Sequence, residues 1–243
     1  MNKTLQRITG RERMPSIKRF LARKQREKSI MSAHENHFKT YEKDYSALNE
    51  YVQNFRNSGG LKHQYQVYKL WCLQNLLDTH KPKSILELGS GSSTLVFSNY
   101  SKKNSANLLS VDENEKWAKN TSDLVKNEIA NDLNIIVHEK MCLPARTPPE
   151  IKYNAILEGK FDFVFIDGPS LQIGKTKLSD AVNSNVFDLE EKPDVIVIDV
   201  RKATALELSK RYSEFYDVYL SDLFTEKPVS DDYAYFSVFI KKQ

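Results

Sequence analysis

The chain has little cysteine, glycine or proline: two, eight and eight residues in 243. Cys72 and Cys142 alone make neither a disulfide framework nor a four-thiolate metal site, so a reducing, cytoplasmic setting is the expectation. No apolar run approaches the roughly 18 residues that a spanning helix needs. The first thirty residues lack the apolar core of a secretory signal. Internal repeats and low-complexity tracts are missing as well. The five histidines, His34, His37, His63, His80 and His138, form no metal-ligand set; His34 and His37 sit three apart without a further ligand. What remains is one sizeable domain with an extension.

Charge is unevenly spread. Residues 1–30 hold ten Lys/Arg against Glu12 and Glu27, which leaves 26 basic and 30 acidic side chains over the rest. Such an arm has the composition of a solvated tail. Ile17, Phe20 and Leu21 lie at helical spacing within it, so a short basic helix touching an anionic surface, peripheral to a membrane, is one expectation. No aromatics are interleaved for base stacking, which weakens a nucleic-acid reading.

From residue 31 the pattern predicts a helix to residue 57, a break at Ser58-Gly59-Gly60, and a second helix over 61–79 that ends before Pro82. Strand and helix then alternate. Strands are predicted at 84–88, 107–112, 134–138, 161–167 and 194–200, and helices around 93–100, 114–130, 174–188 and 203–213. The apolar runs Phe163–Ile166 and Val195–Ile198 suit a parallel sheet covered on both faces. Segments 216–221 and 233–240 are joined by too short a connection for a crossover helix, and so predict an antiparallel hairpin at the sheet edge. The fold class is α/β: a mostly parallel sheet covered on both faces, with an antiparallel last strand and an N-terminal helical extension.

The chemistry concentrates at Ile85-Leu86-Glu87-Leu88-Gly89-Ser90-Gly91-Ser92-Ser93-Thr94. A glycine turn between first strand and helix serves several nucleotide-type ligands. Three details narrow it. Glu87 ends the strand with a carboxylate, which suits a ligand carrying an ammonium and a sulfonium and repels a pyrophosphate. Thr94 stands where dinucleotide sites have a third glycine. Asp112, twenty-one residues after Gly91, closes the second strand, where a carboxylate accepts both ribose hydroxyls.

Glu87-Leu88-Gly89-Ser90-Gly91 resembles motif I of class I S-adenosylmethionine-dependent methyltransferases, and Val111-Asp112 resembles their acidic second-strand motif. The resemblance runs from Lys83 to Lys241 and implies a three-layer Rossmann-like sandwich with a mostly parallel seven-stranded sheet. It implies S-adenosylmethionine as cofactor, lined by Glu87, Gly89, Ser90, Gly91, Thr94 and Asp112, with Glu113 beside them. It also implies a lid from the helix before the first strand, with Gly60, His63 and Tyr65 as lid residues. The domains expected are residues 1–57, the basic arm and helical extension, and 58–243, the methyltransferase domain.

Two further acids follow apolar strands: Asp167 in Ile166-Asp167-Gly168-Pro169 and Asp199 in Ile198-Asp199-Val200-Arg201. At the carboxyl ends of parallel strands they face the ligand crevice. They suit general-base removal of a hydroxyl proton, or a divalent metal shared between them. Catechol-type O-methyltransferases resemble this layout but place Asp-Asn where this chain has Asp199-Val200, so the third ligand is missing. Asp162 and Asp194 begin the same strands and belong to the opposite edge. Arg201, Lys175 and Lys177 are candidates for an acidic group on the acceptor.

The Ile-Asp-Gly-Pro run resembles small methyltransferases acting on sugars and other hydroxylated acceptors, which implies a small-molecule acceptor, a carbohydrate among them. No Asn-Pro-Pro-aromatic run, the mark of base-methylating enzymes, follows the fourth strand. Aminopropyl transfer on the same fold, a nucleic-acid-binding role for the arm and a nicotinamide-dependent oxidoreductase are the other readings.

Overall fold

The protein is represented by a computed structural model, which describes residues 42–57, 66–221 and 235–243 with a few isolated positions elsewhere. Residues 1–20, most of 21–41 and the span 60–65 lie outside it. In chain order the elements are helices α1 (Glu42–Asn57) and α2 (Gln66–His80), strand β1 (Ser84–Leu88), α3 (Ser92–Asn104), β2 (Asn107–Asp112) and α4 (Glu115–Ile129). There follow β3 (Ile136–Val137), β4 (Lys140–Leu143), β5 (Glu150–Tyr153), β6 (Phe163–Ile166), β7 (Gln172–Ile173), β8 (Thr176–Lys177) and β9 (Val182–Asn183). A 3₁₀ turn (Asn185–Asp188), β10 (Val195–Asp199), α5 (Lys202–Tyr212), β11 (Tyr216–Tyr219) and β12 (Phe236–Lys241) complete the order.

Seven strands form the main sheet in the order β11-β12-β10-β6-β1-β2-β3. All neighbours are parallel except β12, which runs against both β10 and β11. The expected terminal hairpin is therefore present, with its second strand inserted between its first and the parallel strands. Central strands β6 and β10 are buried along their whole length, which is why they read as unbroken apolar runs. One face of the sheet is covered by α1–α4: Leu48 and Val52 of α1, Leu73 and Leu77 of α2 and Phe97 of α3 pack on Ile85, Phe163, Phe165 and Val197.

The other face departs from expectation. The helix predicted over 174–188 does not form. That stretch starts with Gly174 at φ +57°, makes the short β7–β8 turn, and then sends Val182–Asn183 beside β5 as part of a second sheet, β4-β5-β9. Ser179, Asp180, Asn183, Ser184 and Asn185 are poor helix formers, because their side chains bond nearby backbone in other conformations. Here Asn185 does so: its Oδ1 accepts from the Tyr153 N–H and its Nδ2 donates to the Tyr153 carbonyl. Helix α5 and this small sheet together bury Leu86, Val164, Ile196 and Phe239. The layer thus contains one helix where sequence periodicity suggested two.

Strand order reverses between β1 and β6, since β2 and β3 lie to one side and β10 and β12 to the other. At such a switch point the loops leave in opposite directions and open a crevice beyond the strands' carboxyl ends.

Candidate functional site at the switch point

The turn after β1 is held from beneath by Glu87, whose side chain is wholly buried. Ser93 Oγ donates to its Oε1 at 2.6 Å, while Thr94 Oγ1 and Ser110 Oγ donate to Oε2 at 2.8 and 2.7 Å. Burial pushes the Glu87 carboxyl up to about 7, and the three hydroxyls pull against that rise. With no exposed surface and three internal donors, the Glu87 carboxylate braces the turn from within. Thr94 also accepts the Gly91 N–H at 2.9 Å, which starts α3 where a third glycine would otherwise stand.

Asp112 reaches the same turn from the end of β2. Its Oδ2 accepts the Ser90 N–H and hydroxyl at 2.9 and 2.7 Å, and its Oδ1 accepts the Asn114 N–H at 2.9 Å. Oδ2 is thereby filled, while Oδ1 retains capacity for a further donor. Trp117 of α4 donates its indole N–H to the Ser90 carbonyl at 2.8 Å, and Phe55 of α1 packs edge-on against that indole at 5.4 Å. Glu113 turns the other way: it accepts the Ser170 N–H at 3.0 Å and pairs with Lys140 at 3.2 Å. It ties the end of β2 to the loop after β6.

The two glycines of the turn have different reasons. Gly89 adopts φ +99°, and a Cβ there would meet the backbone of Asp167 and Gly168 at 2.7 Å. A Cβ on Gly168 would in turn meet Gly89 Cα at 2.7 Å and the Tyr153 hydroxyl at 2.2 Å. The turns after β1 and β6 are therefore pressed together backbone to backbone. At Gly91, by contrast, a Cβ would make only ordinary contact with the Phe55 ring at 3.7 Å. Nothing else in the described chain demands glycine at Gly91.

That contact sets Asp167 beside the turn. Asp167 follows β6 at the mouth of the crevice, with 47% of its side-chain surface exposed, while Asp199 at the end of β10 is 5% exposed. The protein atoms packed around Asp167, then the negative charge of Asp199, raise its carboxyl above the ordinary range; Arg201 and Lys69 oppose the rise. Arg201 donates Nη1 to the Pro169 carbonyl at 3.0 Å and to Asn183 Oδ1 at 2.9 Å, and Nη2 to the carbonyl and carboxylate of Asp167. Its two terminal nitrogens bond the chain itself and pin the Asp167–Pro169 loop, while its Nε is buried with no hydrogen-bond partner among the described residues. Between the acid and the arginine, Val200 adopts φ +46°, a strained conformation for a β-branched residue.

Asp199 Oδ2 pairs with Lys69 Nζ, reached from α2 across the sheet end; its Oδ1 is buried and has no hydrogen-bond partner among the described residues. The Lys69 ammonium also lies 4.7 Å from the centre of the Tyr235 ring and 5.9 Å from that of Phe236. Sequence reasoning missed Lys69, Phe55, Trp117 and Asn183. Lys69 carries no motif, but it lies on the helix singled out as the lid. Lys175 and Lys177 are exposed on the β7–β8 turn and share no bond with the crevice acids. His63, Tyr65 and Gly60 lie outside the described residues. Asp162 and Asp194 stand at the opposite edge, the first accepting the Lys83 and Ser84 N–H groups and the second paired with Lys241. Among the described residues no group of three or more His, Cys, Asp or Glu is placed to hold a metal ion, and no helix is long and apolar enough to cross a membrane.

Solved structures resemble this fold over most of its length. A candidate O-methyltransferase from Klebsiella pneumoniae superposes with a TM-score of 0.50 at 15% identity, covering 81% of this chain and 90% of that one. The Podospora anserina methyltransferase PaMTH1, solved with S-adenosylhomocysteine bound, gives 0.48 at 17% identity over 81% and 88%. An O-methyltransferase from Bacillus cereus in complex with the same product gives 0.48 at 16% over 81% and 91%. No protein-family model matches the sequence, and no curated protein is significantly similar to it. At such identities the common property is architecture: the chain has the Rossmann-like fold of the class I methyltransferases.

Proposed function

We propose that this chain is an S-adenosylmethionine-dependent O-methyltransferase acting on a small hydroxylated acceptor, a sugar among the candidates. The observation that carries the reading is the juxtaposition at the β1/β6 switch point: an acidic, glycine-formed turn on one side and Asp167 on the other, joined by the Gly89–Gly168 contact. The donor set fits the cofactor. Gly91 leaves its surface open, Asp112 can accept from hydroxyls, and no basic side chain stands on the turn to draw a pyrophosphate. Gly89, Ser90, Gly91, Asp112 and the buried brace of Glu87 and Thr94 would hold it. When bound, S-adenosylmethionine supplies an electrophilic methyl group.

The chain's own contribution is then at the acceptor. Asp167, exposed at the crevice mouth, takes the hydroxyl proton; Arg201 and Glu113 fix the loop that carries it, through Asp167–Pro169 and Ser170. Asp199, paired and buried, is the poorer base. Aminopropyl transfer is disfavoured by the same charges, because Lys69 and Arg201 already neutralise the two acids that a polyamine acceptor would need.

Calorimetry with S-adenosylhomocysteine tests the cofactor half; absence of binding up to low millimolar concentration would reject it. The reaction half is tested with methyl-labelled S-adenosylmethionine and a panel of sugars, phenols and hydroxy acids. Asp167→Asn is expected to leave cofactor affinity within about twofold and to lower turnover 10²-fold or more, the usual scale for a positioned base.

A further inference from the structure

The two crevice acids already have a cation. Lys69 enters from α2, a helix remote in sequence from both β6 and β10, and its ammonium bonds Asp199 while its charge acts on Asp167 as well. The flanking residues Tyr68 and Leu70 are buried, which anchors the stem of the lysine. The Tyr235 and Phe236 rings cover the ammonium on another side. Asp199 is 95% buried by the same packing, and Lys69 is its hydrogen-bond partner.

We infer that Lys69 is the resident cation of the acceptor site, occupying by covalent attachment the place between Asp167 and Asp199 that a divalent metal would otherwise take. The inference rests on the reading of this crevice as the acceptor side of a methyltransferase. Its consequence is how the acceptor is held. An ammonium donates through three N–H groups, one of which Asp199 Oδ2 already takes, so it holds an oxygen by donation and does not chelate a pair of oxygens through coordination bonds as a divalent ion does. The acceptor hydroxyl therefore accepts from a remaining Lys69 N–H while its oxygen takes the sulfonium methyl, its proton passes to Asp167 and the thioether sulfur keeps the bonding pair. Asp199 becomes a positioning residue that acts through Lys69.

The probe is Mn²⁺ alone, measured by electron paramagnetic resonance on the full-length chain. Wild type and Lys69→Arg are expected to show no crevice binding, while Lys69→Ala and Lys69→Gln bind Mn²⁺ at least tenfold more tightly than wild type. Adding Asp167→Asn to Lys69→Ala should abolish the gain. Binding by wild type that is lost in Asp167→Asn overturns the inference, and so does a folded Lys69→Ala or Lys69→Gln that gains nothing. Should both variants fail to fold, the wild-type Lys69 ¹⁵Nζ resonance, assigned by its loss in Lys69→Arg, decides: broadening by Mn²⁺ overturns the inference, and an unchanged signal supports it. Calorimetry with S-adenosylhomocysteine on the wild type separates failure of this inference from failure of the methyltransferase reading.

Discussion

Single residues divide the work of the turn in ways that substitution can separate. Gly89 combines a left-handed backbone with a 2.7 Å approach to backbone atoms, so Gly89→Ala is expected to cost about 3 kcal/mol, read as a lower denaturation midpoint. Gly91 has neither constraint, and Gly91→Ala should leave that midpoint nearly unchanged while weakening S-adenosylhomocysteine binding. If both glycines proved purely structural, the second effect would not appear. Asp167 gives a kinetic signature. Its carboxyl is raised by the protein around it and by Asp199, and a base works only when deprotonated, so turnover is expected to fall as pH drops through about 7. At this scale the sequence was most informative about acids at strand ends, because the apolar strands Phe163–Ile166 and Val195–Ile198 mark where Asp167 and Asp199 must emerge. It was silent about Lys69, since a lone lysine on an otherwise packed helix looks like any solvated charge until the helix is placed.

Among elements, α1 is the least expected contributor. A helix read as an extension places Leu48 and Val52 in the main core and Phe55 against Trp117 and the Gly89–Gly91 turn. Each buried apolar side chain is worth roughly 1.5–3 kcal/mol. Deleting residues 1–57 is therefore expected to destabilise the fold by 5 kcal/mol or more on that rough scale, whereas Phe55→Ala alone should lower cofactor affinity more than its loss of packing suggests. Thermal melts and calorimetry on the same variants would separate the two effects. The helix expected at 174–188 is lost to side-chain commitments. Spacing of apolar residues there is compatible with a helix, but Asn183 and Asn185 are committed to bonds with Pro169, Arg201 and Tyr153 that a helix could not present. Such side-chain commitments depend on partners far along the chain and leave no periodic trace.

At the scale of the molecule, two acids among the described residues are held above their ordinary range, Glu87 and Asp167, both at one end of the sheet. The folded state binds their protons more tightly than the unfolded chain does, so their contribution to stability is present at low pH and is lost as pH rises toward about 7. Melting temperature is expected to decline across that interval, and Glu87→Gln should flatten the decline. A wild-type profile that instead climbs there would show that other groups dominate. The α/β class and the antiparallel terminal hairpin were legible at this scale, because alternation of strand and helix leaves few topologies for a parallel sheet; the strand order was not. The small β4-β5-β9 sheet was not, since strands of two to four residues carry too little pattern to read.

The Gly89–Gly168 contact has one more consequence. Where the two turns meet, main-chain atoms set the spacing, much as a keystone joint ignores the facing of its stones. On the proposed reading, the separation between methyl donor and Asp167 is fixed there first. Exchanges at the exposed Lys175 and Lys177, which share no bond with the crevice acids, are then expected to leave that separation unchanged, whereas Asn183, tied to Pro169 and Arg201, is not free to vary.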